Sequence, residues 1–204
     1  MEIVILHWFE SMHVNVLNYF FYFMTLLGDK GIFWIVIALL MLLVLPKHYR
    51  KVGFAMAIAL ILSVIFCNLI LKHAFERSRP FWIDDSFENL FGYFDTIDDY
   101  SFPSGHASAS VAAAVAIRMW KTWEGNVAII VAALISFSRI YLTVHYPSDV
   151  IVSCAMGVVF GIASYYITKA ILDKFPRLRP AFKGNQSYKT IFKPELVKKE
   201  ITAE

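Results

Sequence analysis

Long apolar runs decide what this chain can fold into. Residues 31–45, 52–71, 107–120, 126–142 and 150–172 carry at most one charged side chain each. A helix crossing a bilayer needs about 17–25 mainly apolar residues. The second and fifth runs meet that directly, and the third reaches it if its helix begins near Ser104. The chain is 58% hydrophobic and only 17% charged, where an average globular chain holds about 25% charged residues. The surplus apolar surface must face lipid, so the expected class is all-α: one integral membrane domain built as a helix bundle.

The segment 3–27 reads as a further helix. His7, Ser11, Asn15, Asn18 and Tyr22 recur every three or four residues and share one face. That stripe suits either a bundle interior or a helix lying in the membrane interface, and a sixth spanning helix is the favoured reading. Gly28-Asp29-Lys30-Gly31 separates it from the next run, and no removable signal peptide is expected. Six spans put both termini on one side. Of the 19 Lys and Arg residues, fourteen fall on that side and five on the other. The positive-inside rule therefore predicts cytoplasmic termini. Residues 1–172 form the expected transmembrane unit, and 173–204 a polar, basic cytoplasmic tail attracted to anionic lipid.

Several features ask only for ordinary explanations. Cys67 and Cys154 lie inside apolar runs and read as small hydrophobes. Gly157 and Gly161, with Ala109, Ala112, Ala113 and Ala116, let helices approach closely. The acidic loop 81–102 holds Asp84, Asp85, Glu88, Asp95, Asp98 and Asp99, without the spacing of a calcium loop, so it reads as solvated. His7, His13, His48 and His73 are assigned no role.

Three polar stretches interrupt the apolar runs: Lys72 to Arg79-Pro80, Pro103-Ser104-Gly105-His106, and Ser138-Arg139 with His145 and Asp149. Under the six-span plan they meet at the extracytoplasmic helix ends. Lys72, Arg79 and Arg139 supply three positive charges, and arginine can grip two phosphate oxygens at once. Ser104 can cap a helix whose free N–H groups face an anion, and Gly105 lets the backbone come close. Asp149, one turn beyond His145, can hold one imidazole nitrogen protonated and leave the other free to attack phosphorus. His106 can donate a proton to the departing oxygen.

These stretches resemble the signature of the type 2 phosphatidic acid phosphatase (PAP2) family, K-x6-RP, PSGH and SR-x5-H-x3-D, with every spacing intact. The resemblance implies a PAP2-type six-helix membrane bundle and hydrolysis of a lipid phosphate. It gives His145 as the nucleophile forming a phosphohistidine, Asp149 as its orienting partner and His106 as the acid–base. Lys72, Arg79, Ser104, Gly105 and Arg139 would bind the phosphoryl group, with no metal or cofactor required. Phosphatidylglycerophosphate, phosphatidic acid and undecaprenyl diphosphate are the expected substrates, at the outer face of a bacterial plasma membrane, with membrane lipids as neighbours and no nucleic-acid partner. Vanadate-dependent haloperoxidases share the signature but are soluble. A non-enzymatic lipid-phosphate carrier and a phosphotransferase remain as alternatives at this stage.

Overall fold

The computed structural model describes residues 1–182, and among these every regular element is helical. Most of the tail expected over 173–204 therefore lies outside the described residues. The main helices are α1 (Glu2–Glu10), α2 (Asn15–Gly28), α3 (Ile32–Leu39), α4 (Lys47–Ser63), α5 (Gly105–Arg118), α6 (Thr122–Tyr141) and α7 (Pro147–Lys174). Two of them run on as π-helix: α3 through Leu40–Val44, and α4 through Val64–Leu71 into a final α-turn at Lys72–Phe75. Among the described residues, four stretches are long and apolar enough to cross a membrane: Asn15–Val44, Lys47–Ile83, Thr122–Tyr141 and Pro147–Lys174. Large apolar side chains point outward along the bundle, among them Val36, Ile61, Leu69, Ile130 and Val159. Lipid is the solvent that such a surface fits.

The short helix α5 sits at the centre. Ala112, Ala113 and Ala116 have no exposed surface, and α4, α6 and α7 pack around them. A Cβ on Gly157 would lie 2.8 Å from the Ser108 carbonyl oxygen, and one on Gly161 would lie 2.5 Å from Val115 Cβ. The small-residue stripes thus bring α7 onto α5, as the sequence suggested. Trp34 of α3 closes the other flank, its indole N–H donating to Ser110 Oγ at 2.9 Å.

The expectation of one spanning helix over 3–27 is overturned. The chain breaks between Ser11 and Val14, where Val14 is extended, and His13 Nε2 reaches the Tyr141 carbonyl at 2.9 Å. The helix α1 has nine residues, about 14 Å at 1.5 Å per residue, too short to cross. From Asn18 to Gly28 the neighbours of α2 on α6 run only from Tyr141 back to Ile135. That helix therefore crosses α6 obliquely and stays by one end of the bundle. Glu2 lies at this same end, bonded to Ser148 N at 3.0 Å. The 28-residue α7 carries Lys174 about 40 Å away, where Arg50 donates to the Ala181 carbonyl. Residue 2 and residue 181 thus sit at opposite ends, whereas the six-span plan puts residues 1 and 173 on one side. The stripe of polar residues misled because Ser11 and Asn15, on either side of the break, keep the spacing of one helical turn although the chain between them is not helical.

Candidate active site

The local chain path explains how each polar stretch reaches the same place. Pro80 excludes helical geometry from the residue before it, so Arg79 is extended (φ −75°, ψ 154°) and caps the one-turn helix Pro80–Ile83. That turn swings its guanidinium under the bundle end. At the end of α6, Thr143 takes a left-handed conformation (φ 54°). The chain folds back so that the N–H groups of Val144 and His145 both donate to the Arg139 carbonyl, at 3.2 and 3.3 Å. The five-residue gap between Arg139 and His145 is therefore the length of a helix C-terminal cap. Pro147 then opens α7, and Asp149 Oδ2 accepts the N–H of Tyr146 at 3.2 Å.

Six of the eight sequence-derived residues, Lys72, Arg79, Gly105, His106, Arg139 and His145, line one cavity of about 510 Å³. Its polar end is formed by these side chains. Another part of its lining, with Leu26, Ile35, Leu60 and Val64, is apolar, and all of these but Leu60 are exposed on the outside of the bundle. The other two residues stand behind the wall. Ser104 is buried and caps α5, Oγ accepting from Ala107 N at 3.5 Å while its own N–H donates to Ser153 Oγ at 2.8 Å. Asp149 has no exposed surface and faces His145, with Oδ2 3.7 Å from Nδ1.

Arg79 donates from Nη1 to the Val144 carbonyl at 2.8 Å and approaches His145 Nε2 at 3.2 Å. A guanidinium has donors only, so Nε2 accepts and the proton of the neutral ring sits on Nδ1, toward Asp149. Burial, and then the charges of Arg79, Arg139, Lys72 and His106, hold the His145 imidazole well below its ordinary value. At neutral pH His145 is therefore an uncharged base whose Nε2 lone pair is met by Arg79 Nη1. His106 Nε2 is buried without a partner among the described residues. Gly28 makes room for that ring: a Cβ there would lie 2.7 Å from His106 Cδ2.

Several partners were not read from the sequence. Asp99, assigned to a solvated loop, seats its carboxylate on both Lys72 and Arg79, and its carbonyl accepts Arg79 Nε at 2.8 Å. Burial pushes the Asp99 carboxyl up, but Arg79 and Lys72 outweigh it and leave the group below its ordinary value. Arg139 donates to Thr25 Oγ1 and, at 2.6 Å, to the Tyr93 hydroxyl. Ser101 Oγ donates to Asp149 Oδ2 at 2.6 Å, and Asn68 lies against Gly105, in the cavity wall. Asp99 and Ser101 lie just upstream of Pro103, a closeness in sequence that was a usable signal. Thr25 and Tyr93 offered none. His7, given no role, bridges Glu10 and Asp84 at 2.9 Å each and ties α1 to the acidic loop.

The fold and site together define a helical membrane bundle with a cluster of cations and two imidazoles gathered at one end. The chain belongs to the PAP2 superfamily, which it matches over residues 48–173. It is similar to the undecaprenyl-diphosphatase of Sulfolobus acidocaldarius, 32% identical over 136 residues, or 66% of this chain and 64% of that one. It is also similar to the decaprenylphosphoryl-5-phosphoribose phosphatase of Mycobacterium tuberculosis, 33% identical over 134 residues, 66% of this chain and 71% of that one. The chain spans slightly less than two thirds of the length of the first of these. The fold is that of the crystal structure of Aquifex aeolicus LpxE, with a TM-score of 0.66 at 24% identity over 78% of this chain and 92% of that one.

Proposed function

We propose that this protein is a metal-independent phosphatase of membrane lipids, acting on a phosphomonoester or diphosphate through a phosphohistidine on His145. The observation that carries the reading is the meeting of His145, His106, Lys72, Arg79 and Arg139 around one cavity that is apolar along another part of its lining. A phosphoryl group seated on the three cations brings its phosphorus to His145 Nε2. The N–P bond forms as the P–O bond to the leaving oxygen breaks, and His106 gives that oxygen its proton. The leaving oxygen is the ester oxygen of a monoester or the bridging oxygen of a diphosphate. His106 then takes a proton from water, whose oxygen attacks phosphorus. Inorganic phosphate leaves and His145 is restored. Catalysis here is positioning and stabilisation of charge on the phosphoryl oxygens. Ser104 and Gly105 contribute by fixing the start of α5, with its free N–H groups, beside the phosphate.

Phosphatidylglycerophosphate, phosphatidic acid and undecaprenyl diphosphate each join a phosphate to an apolar tail, as the cavity asks. Residues 1–172 act as the catalytic unit, with 173–204 a basic cytoplasmic tail. With α1 held at the site end, the chain passes five times between the two ends, in the four long stretches and in the short central α5. The basic excess lies at the other end, so the site and amino terminus face outside and the carboxyl terminus faces the cytoplasm of a bacterial cell. The test is phosphate release from these three lipids in detergent, with a chelator present. Release from at least one, unaffected by chelator, is expected. Binding of all three without release of phosphate from any would instead mark a carrier.

A further inference from the structure

Arg77 lies inside the first polar stretch but faces away from the cavity, toward the buried side of Asp149. Its Nη1 donates to Asp149 Oδ1 at 2.5 Å and to Ser148 Oγ at 2.8 Å, and Nη2 donates to Glu2 Oε2 at 2.6 Å. The guanidinium carbon lies 3.9 Å from the centre of the Tyr146 ring. The Arg77 carbonyl accepts the N–H of Ser101 at 2.8 Å, and Ser101 Oγ in turn donates to Asp149 Oδ2. Glu2 Oε1 takes the N–H of Ser148 at the start of α7. Both oxygens of the Asp149 carboxylate are thus fixed by groups that Arg77 either supplies or holds. With no exposed surface, that carboxylate needs a paired cation in this position.

We infer that Arg77, clamped by Glu2 of α1, is a positioning residue for the reaction: it fixes Asp149, and through it the tautomer and aim of His145. The groups facing Asp149 are Arg77 from the loop after α4, Ser101 from the loop before α5, and His145 with the Tyr146 N–H from the α6–α7 connection. Glu2 of α1 acts one step out. The amino-terminal helix is in this way part of the apparatus that aims the nucleophile, although it contributes nothing to the cavity wall. This inference rests on the proposed reaction for its kinetic readout, and its second readout does not need turnover.

The experiment measures kcat and KM for lipid phosphate hydrolysis by the full chain and its Arg77→Ala, Arg77→Lys and Glu2→Gln variants. Alongside, nitrogen-15 NMR of the labelled imidazoles reads the His145 tautomer. The Arg77→Ala change should lower kcat by about a hundredfold and leave KM within about threefold, because Arg77 never touches substrate. The Arg77→Lys variant should recover about tenfold of that loss, and Glu2→Gln should cost about three- to tenfold in kcat. In Arg77→Ala the His145 proton should no longer reside on Nδ1 alone. An unchanged kcat in Arg77→Ala, a loss carried by KM, or a Lys variant as impaired as Ala would overturn the inference. Should Arg77→Ala not fold, the Arg77→Lys and Glu2→Gln variants decide by the same kcat and tautomer readouts. A wild-type protein that releases phosphate from no lipid would refute the phosphatase reading alone. The tautomer comparison would then still uphold or overturn the role of Arg77.

Discussion

Residue by residue, two of the three cavity cations, Lys72 and Arg79, are already paired with a carboxylate, while Arg139 holds neutral hydroxyls. Asp99 already sits on Lys72 and Arg79, so a substrate phosphate must displace a carboxylate. Replacing Asp99 by Asn should therefore lower KM for lipid phosphate several-fold, as measured by initial rates. The Asp99 carboxyl is held below its ordinary value. Its contribution to stability is thus complete above the unfolded carboxylate pKa and is lost only as pH falls through the lower, folded value. At neutral pH the seat is occupied. His145 is the complementary case: its imidazole is held well below the ordinary value of 6.5, so its NMR titration should show a neutral ring at pH 6. Arg139→Ala removes a cation whose charge-assisted bonds are worth about 1.5–3 kcal/mol, an expected loss of about ten- to a hundredfold in kcat/KM. The six cavity-lining residues were legible because their chemistry depends on residue type and local spacing. Thr25 and Tyr93 were not, since each is recruited by Arg139 across 114 and 46 positions of sequence.

Among the helices, close approach is set by missing side chains. Val115 Cβ is fixed to its own backbone and cannot swing aside from a Cβ placed on Gly161. Gly161→Ala should therefore destabilise the bundle by about 1–3 kcal/mol as overpacking, seen as a lower midpoint in detergent thermal unfolding. The apolar runs from 31 onward are helical over nearly all their length, and all but 107–120 fall, to within a residue, in stretches long and apolar enough to cross a membrane. Lipid-facing and buried surfaces are both apolar, leaving length as the main signal. The same logic hid the continuation of α3 and α4 as π-helix, since composition does not distinguish a wider turn from an ordinary one. It hid the break at Ser11–Val14 too, because His13 is drawn out of helical register by the Tyr141 carbonyl rather than by its neighbours.

The whole molecule is a membrane-embedded scaffold that presents a polar cavity at one end and a basic surface at the other. Residue 12 and residue 174 lie at opposite ends of the bundle. A membrane-impermeant thiol reagent applied to intact cells should label a Met12→Cys variant and spare Lys174→Cys. Above that arrangement stands the claim that His145 carries the phosphoryl group during turnover. The most direct measurement is rapid acid-free quenching of the enzyme with lipid labelled in its phosphate, followed by mass spectrometry of the peptides. The account predicts one phosphoryl group on the His145 imidazole, absent from a His145→Ala variant that is folded and inactive. Label on another residue, or phosphate release that persists in His145→Ala, would contradict it.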